Sequence, residues 1–144
     1  MKRKLCALTL LAFTVAAFYG NFDKFWSGHD PAGIGNFLLS AGYLAAWGWF
    51  LREPRSKKTL WFARIWWMLS LTGVVSWLGL QYLSFPEIFL FLAWPGALFL
   101  SQLFGLRFLF HLSYGGLYLL FLVICVVMLF LSMHQTKTTG GNTI

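Results

Sequence analysis

Residues 117–131 form an unbroken apolar stretch with no charged or strongly polar side chain on any helical face. A water-soluble helix of this length shows polar residues at about 3.6-residue spacing, because one of its faces meets solvent. Similar apolar runs cover most of the 144 residues, and 59% of all residues are apolar. A domain this small buries only about 60–70% of its unfolded surface. The sequence therefore predicts an integral membrane protein.

Five apolar segments are long enough to be considered as membrane spans, since a helix needs about 20 residues to cross the hydrocarbon core. They cover residues 5–19, 32–51, 60–83, 87–104 and 108–133. The expected fold is an all-α polytopic bundle of about five transmembrane helices in a single domain, residues 1–133. Residues 134–144 are rich in Thr and Gly and are expected to form a disordered polar tail.

The first segment admits a second interpretation as a cleaved signal peptide, because it has a basic start and an apolar centre. The sequence Phe18-Tyr19-Gly20 is a poor cleavage site, although residues 15–17 are passable. Gly20 with Asn21 is also a plausible helix stop. We therefore expect a retained first helix that ends near Tyr19.

Lysine and arginine residues indicate the orientation, because short cytoplasmic loops carry an excess of them. With a cytoplasmic N-terminus, nine of the 11 basic residues lie inside and two lie outside. The inside residues are Lys2, Arg3, Lys4, Arg52, Arg55, Lys57, Lys58, Arg64 and Arg107. The outside residues are Lys24 and Lys137. We therefore expect a multi-pass protein of the plasma membrane with its N-terminus in the cytoplasm.

The fourth segment allows two arrangements. In the first, two full spans meet in a tight hairpin at Gly105, and Arg107 lies at the cytoplasmic boundary. In the second, residues 86–104 enter and leave on the outer side. The second arrangement moves Arg107 outside and Lys137 inside, so the charge split is again nine to two. The segment and its link are long enough for about 30 Å of helix, which favours the full crossing.

Polar side chains within the predicted spans are the first place to look for function. These residues are Asn36, Ser40, Gln102, Arg107 and His111. Arg107 and His111 are four residues apart and share a helix face, and Gln102 lies across the link. We therefore regard Gln102, Arg107 and His111 as candidate transport residues. A structural role fits them as well, with Arg107 at lipid phosphates and the other two bonded to backbone groups.

Three carboxylates, Asp23, Asp30 and Glu87, are expected on the outer side with His29. They could bind a divalent cation if they converged. Helix capping is the simpler interpretation, because Asp30 precedes a proline at the start of a span. Ser84 and Glu87 likewise have the spacing of a capping box. We therefore predict no catalytic, cofactor-binding or metal-binding residue.

Two further patterns concern packing. Cys6 and Cys125 lie in apolar runs without zinc-site spacing, so both are expected to be buried free thiols. Small residues recur four apart in residues 41–46 and 72–79. Such spacing lets helix backbones approach in lipid, so we expect the second and third spans to form a close antiparallel pair.

The function indicated by these features is a non-catalytic accessory or scaffold protein. Its expected partners are the lipid bilayer and a membrane protein or second copy, because almost no soluble mass remains. Nucleic acid is not expected, since the net charge of +7 follows the helix ends. One alternative is a small oligomeric transporter or channel that uses Gln102, Arg107 and His111. Another is a membrane-embedded enzyme acting on a lipid-linked substrate.

Overall fold

The computed structural model describes residues 2–27, 31–52, 57–84, 86–111 and 113–139. Within them, six α-helices are present and no strand occurs. The helices are α1 (Lys2–Ser27), α2 (Ile34–Arg52), α3 (Lys57–Tyr82), α4 (Leu90–Leu100), α5 (Leu106–Phe110) and α6 (Tyr114–Thr139). Two 3-10 turns, Glu87–Phe89 and Ser101–Leu103, extend α4 at its ends. The predicted all-α fold is confirmed.

Three helices are long and apolar enough to cross a membrane: Lys4–Ser27, Ile34–Arg52 and Tyr114–His134. The segment Glu87–Leu103 is apolar but shorter. Helix α3 has 26 residues and is therefore long enough. It carries Arg64 and several polar side chains among its apolar ones, which lowers its hydropathy.

Helix α1 extends beyond the predicted stop at Gly20 and Asn21. It continues to Ser27, because apolar rings follow at helical spacing and pack on one another. The ring centroids of Phe18 and Phe22 lie 4.8 Å apart, and those of Phe22 and Trp26 lie 6.2 Å apart. The predicted end near Tyr19 was therefore wrong, since these aromatic contacts outweigh the local stop signal.

The last helix also exceeds its predicted end at Met133. Helix α6 continues to Thr139, so the first part of the predicted tail is helical. The rest of the tail, residues 140–144, lies outside the described residues.

Helices α1 and α2 form one antiparallel pair, and α3 lies between α4 and α6. Ala7, Phe50 and Phe62 line one groove, which places the start of α1, the end of α2 and the start of α3 together. We call this the Lys57 end of the bundle. The opposite end, where α3 finishes, is called the Tyr82 end.

Helix α6 runs antiparallel to α3 along nearly its full length. At its start, a Cβ on Gly115 would lie 2.6 Å from the Tyr82 hydroxyl. Further along, the rings of Trp77 and Tyr118 stack with centroids 6.3 Å apart. Near the other end, Arg64 Nη2 donates to the Ser132 carbonyl at 3.2 Å. Helix α6 therefore begins at the Tyr82 end and finishes at the Lys57 end.

Helix α4 also begins at the Tyr82 end, directly after α3. It runs along α3 toward the Lys57 end, with Trp77 Nε1 donating to the Ala93 carbonyl at 3.1 Å. Closer to the Lys57 end, the ring centroids of Trp66 and Phe99 lie 4.6 Å apart. Since α4 and α6 start at the same end, the chain between them must turn back inside the bundle.

The return passes along α2 toward the start of that helix. The Gln102 carbonyl accepts from Ser40, and the ring of Phe108 lies 6.4 Å from that of Phe37. His111 then shares a pocket with Pro31. Residues 87–111 thus enter and leave the bundle at the Tyr82 end, and we call them the hairpin. This differs from the predicted single helix over residues 108–133, which is divided between α5 and α6.

The predicted close pairing of the second and third spans through small residues is wrong. Large aromatic side chains separate α2 from α3, with Trp66 Nε1 donating to the Tyr43 hydroxyl at 2.9 Å. Trp47 packs edge-on against Trp67 with centroids 5.4 Å apart, and both rings are buried. Trp47 and Trp67 are therefore part of the core between α2 and α3.

Small residues do permit one close approach, between α3 and α4. A Cβ on Gly73 would overlap the Cα of Gly96, and the reverse is also true. The two backbones therefore touch, as expected for small residues at a helix crossing in lipid. This contact fixes the descending arm of the hairpin against α3.

Candidate functional site

Buried polar side chains converge where the hairpin turns. Asn21 of α1 donates from Nδ2 to Ser40 Oγ at 3.0 Å and to the Gln102 carbonyl at 3.3 Å. Ser40 Oγ donates to the same carbonyl at 2.7 Å and accepts from the Gly105 amide at 3.0 Å. The side chains of Asn21 and Ser40 are fully buried. We give the name hairpin network to Asn21, Asn36 and Ser40 together with the Gln102 carbonyl and the Gly105 amide.

Asn36 joins the network to the start of α2. Its Oδ1 accepts from the Gly33 amide at 3.0 Å, as a residue in the third helical position of a capping box does. Its Nδ2 donates to the Gly20 carbonyl at 2.6 Å and to Asn21 Oδ1 at 2.8 Å. One amide therefore caps α2 and ties it to α1.

The turn of the hairpin rests directly on the backbone of α2. A Cβ on Gly105 would overlap the Asn36 carbonyl and would press on the Phe37 amide. Residues 101–106 are all buried. A chain reversal inside an apolar bundle leaves backbone groups without helical partners, which is costly unless other groups bond to them. The hairpin network supplies those partners.

Gln102 contributes to this site mainly through its backbone. Its carbonyl accepts two hydrogen bonds. Its side chain is 3% exposed, and its Oε1 has no hydrogen-bond partner. Such an acceptor costs about 1–3 kcal/mol relative to a bonded one. The side chain therefore adds no stabilising contact at Oε1.

The other two transport candidates lie at the base of the hairpin. Arg107, Phe108 and His111 line a pocket of about 360 Å³ with Pro31 and Ala32. The Arg107 guanidinium carbon lies 4.2 Å from the centre of the Tyr114 ring, a cation–π contact. The structure thus brings Arg107 and His111 to one pocket and places Gln102 in the hairpin network.

His111 ends α5 in the left-handed backbone region, with φ of 46°. A residue other than glycine is strained there. The conformation turns the chain from the hairpin toward α6. His111 therefore has a structural position that does not depend on its ring chemistry.

The described carboxylates sit on the surface. Asp23 and Glu87 are exposed, whereas His29 and Asp30 lie outside the described residues. The predicted capping box at Ser84 and Glu87 does not form, because the 3-10 turn begins after Pro86 without a side-chain cap. Ser84 instead adopts a φ of 52°, which turns its backbone away from helix-start geometry.

Asn21 is the residue of this site that the sequence interpretation missed. With Gly20 it resembles a helix stop, which places it outside the predicted spans and so outside the interior polar residues. The signal was present in Phe22, Phe25 and Trp26, which continue the apolar spacing beyond it. The two cysteines behave as expected, since both are free and buried.

Among the described residues, no group of three or more His, Cys, Asp or Glu side chains is positioned to hold a metal ion. Comparison with protein-family models, with curated proteins and with solved structures finds no match to this chain.

Proposed function

We propose that the chain is an integral membrane protein in which α1, α2, α3 and α6 cross the bilayer. The residues 87–111 form a re-entrant hairpin that opens outward. Helices α1, α2 and α6 have the length and apolarity of membrane spans. Helix α3 runs antiparallel to α6 from Tyr82 to Arg64, so it crosses wherever α6 crosses.

The charge distribution supports a cytoplasmic Lys57 end. In this arrangement Lys24 and Arg107 are outside, and the other nine basic residues are inside. Under the positive-inside rule, an excess of this size of Lys and Arg in the short loops on one side sets the orientation of the protein. Both termini would then be cytoplasmic, in the plasma membrane.

We infer that the protein acts as a non-catalytic accessory or scaffold subunit. The observation that carries this inference is the hairpin network. Asn21, Asn36 and Ser40, which would otherwise be available to a substrate in the interior, are engaged in holding the hairpin turn. The polar interior thus supports the fold, and contact with partners falls to the lipid-facing surface.

The face of α6 that points away from the rest of the bundle is the surface best placed for a partner helix. It exposes a stripe of large apolar side chains at alternating intervals of four and three residues: Leu119, Val123, Val126, Phe130 and Met133. This spacing gives one continuous side of a helix. A membrane protein or a second copy of this chain could pack along it.

Photo-crosslinking tests the subunit hypothesis on α6. A photoreactive phenylalanine analogue at Phe130, which is 67% exposed, should crosslink to one defined membrane protein or to a second copy. The same analogue at Phe121, which is 0% exposed, is the matched control and should crosslink only within the chain. Mild-detergent purification should recover the same complex. A purified monomer that binds no partner and still performs the function of the protein would contradict the proposal.

A transporter or channel is the second candidate, supported by the pocket at the hairpin base. That pocket combines Arg107 and His111 with an opening at the bundle surface. If it begins a solute path, flux through reconstituted protein should fall at least tenfold in His111→Ala, while insertion stays normal. Unchanged flux in both His111→Ala and Gln102→Leu would remove these residues from any transport mechanism.

A further inference from the structure

A lateral groove at the Lys57 end lies between α1, α2 and α3. It has a volume of about 300 Å³, and its walls are almost entirely apolar. Its lining residues are Ala7, Leu10, Leu11, Thr14, Trp47, Phe50, Phe62 and Trp66. Trp47 forms a buried floor, whereas Leu11 and Phe62 form exposed rims. The groove therefore opens sideways from the bundle, where lipid would lie.

Two of the three polar side chains at the groove are hydrogen-bonded within the protein, and the third, Trp47, has its Nε1 buried and without a hydrogen-bond partner. Thr14 Oγ1 donates to the Leu10 carbonyl at 2.7 Å, and Trp66 Nε1 donates to Tyr43. An occupant would thus meet hydrocarbon and aromatic surface. An α-helix is about 10 Å across, which is too wide for this cavity, whereas a single acyl chain is thin enough.

Two lysines stand on the groove-lining helix faces, one turn beyond the end of the groove. Lys4 precedes Ala7 by three residues on α1, and Lys58 precedes Phe62 by four on α3. Residues at these spacings share a helix face. Both lysines are exposed. One helical turn is about 5.4 Å, so the two lysines lie about that far beyond the groove-lining residues, toward the Lys57 end.

We propose that this groove binds one acyl chain of an anionic phospholipid, with its headgroup held between Lys4 and Lys58. The inference rests on the membrane arrangement proposed above. Charge complementarity selects the anionic class, because eight of the ten basic residues that the structure describes lie at this end, and neither of the two described acidic residues does. Basic side chains near a membrane surface each favour anionic lipid by about 1 kcal/mol, or about fivefold.

Tryptophan quenching by brominated lipid tests the proposal, since Trp47 and Trp66 both line the groove. Full-length protein is reconstituted in phosphatidylcholine vesicles containing small fractions of brominated phosphatidylglycerol or brominated phosphatidylcholine. We expect phosphatidylglycerol to quench at a mole fraction at least fivefold lower. Lys4→Gln and Lys58→Gln should each reduce that preference about fivefold. Lys24→Gln, at the other end of α1, should leave it unchanged.

Groove filling separates chain binding from headgroup attraction. Ala7→Phe places a ring in the groove and should reduce the quenching by phosphatidylglycerol at least threefold. Ala12→Phe, an exposed position of α1 outside the groove lining, is the matched control and should not. Far-UV circular dichroism checks that both variants stay helical.

Three outcomes would overturn the assignment. Equal quenching by the two lipids in the wild type would mean that the groove takes any chain. Unchanged quenching in Ala7→Phe would place the lipid elsewhere. Equal effects of Lys24→Gln and Lys58→Gln would make the attraction a property of overall charge. Failure of the wild type to enter vesicles would instead count against the membrane arrangement.

Discussion

At the residue scale, a few side chains decide where the chain turns. Asn21 and Ser40 offer bonds to the Gln102 carbonyl and the Gly105 amide, two backbone groups at a chain reversal. Polar side chains in lipid commonly bond across helices. Here they allow an irregular backbone to be buried inside an apolar bundle.

Asn21→Leu tests the weight of the hairpin network. The change keeps the number of side-chain heavy atoms but removes the bonds that Asn21 makes to Asn36, Ser40 and Gln102. We expect the free energy of unfolding, measured by titration of mixed micelles with dodecyl sulfate, to fall by about 1–3 kcal/mol. Thr72→Val is the control, because Thr72 bonds only to the Met68 carbonyl of its own helix. Equal losses of unfolding free energy in Asn21→Leu and Thr72→Val would contradict a stabilising role for the hairpin network.

Gln102→Leu separates the backbone of this residue from its side chain. The carbonyl that holds the hairpin remains, and a buried acceptor without a partner is removed. Stability should therefore stay the same or rise by about 1 kcal/mol. A loss as large as that of Asn21→Leu, in the same titration, would show that the Gln102 side chain makes a stabilising bond.

At the element scale, the boundaries of α2 and α3 follow the sequence prediction to within three residues. Apolar runs bounded by charges at their ends determine these limits. The end of α1 and the path of residues 87–111 did not follow, because both depend on contacts between distant segments. The small residues were informative about close packing, but their partner was misassigned: Gly73 meets Gly96 of α4, whereas large rings fill the space between α2 and α3.

Gly73→Ala tests the close contact that holds the hairpin arm. A methyl group there would overlap the Gly96 backbone, so α3 and α4 must separate. We expect a loss of about 1–3 kcal/mol in unfolding free energy, typical of overpacking. Gly48→Ala is the matched control, because a Cβ on Gly48 meets no atom within 4 Å. Within a helix, Gly48→Ala should leave the unfolding free energy unchanged or raise it by up to about 1 kcal/mol. A larger loss of unfolding free energy in Gly48→Ala than in Gly73→Ala would contradict the contact.

At the scale of the whole molecule, composition predicts membrane character, and three helices have the length and apolarity of membrane spans. Charge counting left the topology open, because moving Arg107 outside and Lys137 inside preserves the nine-to-two split. The sequence predicts the site in part. Asn36, Ser40 and Gln102 lie within predicted spans, whereas Asn21 lies beyond the predicted end of α1 and inside its observed range.

The apolar composition predicts that the protein cannot be extracted from the membrane without detergent. With hydrocarbon around α1, α2 and α6, the protein should stay in the membrane pellet after washing with carbonate at pH 11. Detergent should release it. The released fraction is measured by immunoblotting of a tagged chain, and release by alkali or by high salt alone would contradict membrane insertion.

The re-entrant hairpin is tested most directly by labelling its two ends. Ser84→Cys and Ser113→Cys are made separately in a chain whose buried Cys6 and Cys125 are replaced by alanine. A membrane-impermeant maleimide should label both from outside intact cells, because the hairpin enters and leaves at the Tyr82 end. Arg52→Cys, at the other end of the bundle, should react only after permeabilisation. Labelling of Ser84→Cys and Ser113→Cys from opposite sides would contradict the hairpin and restore a full fourth crossing.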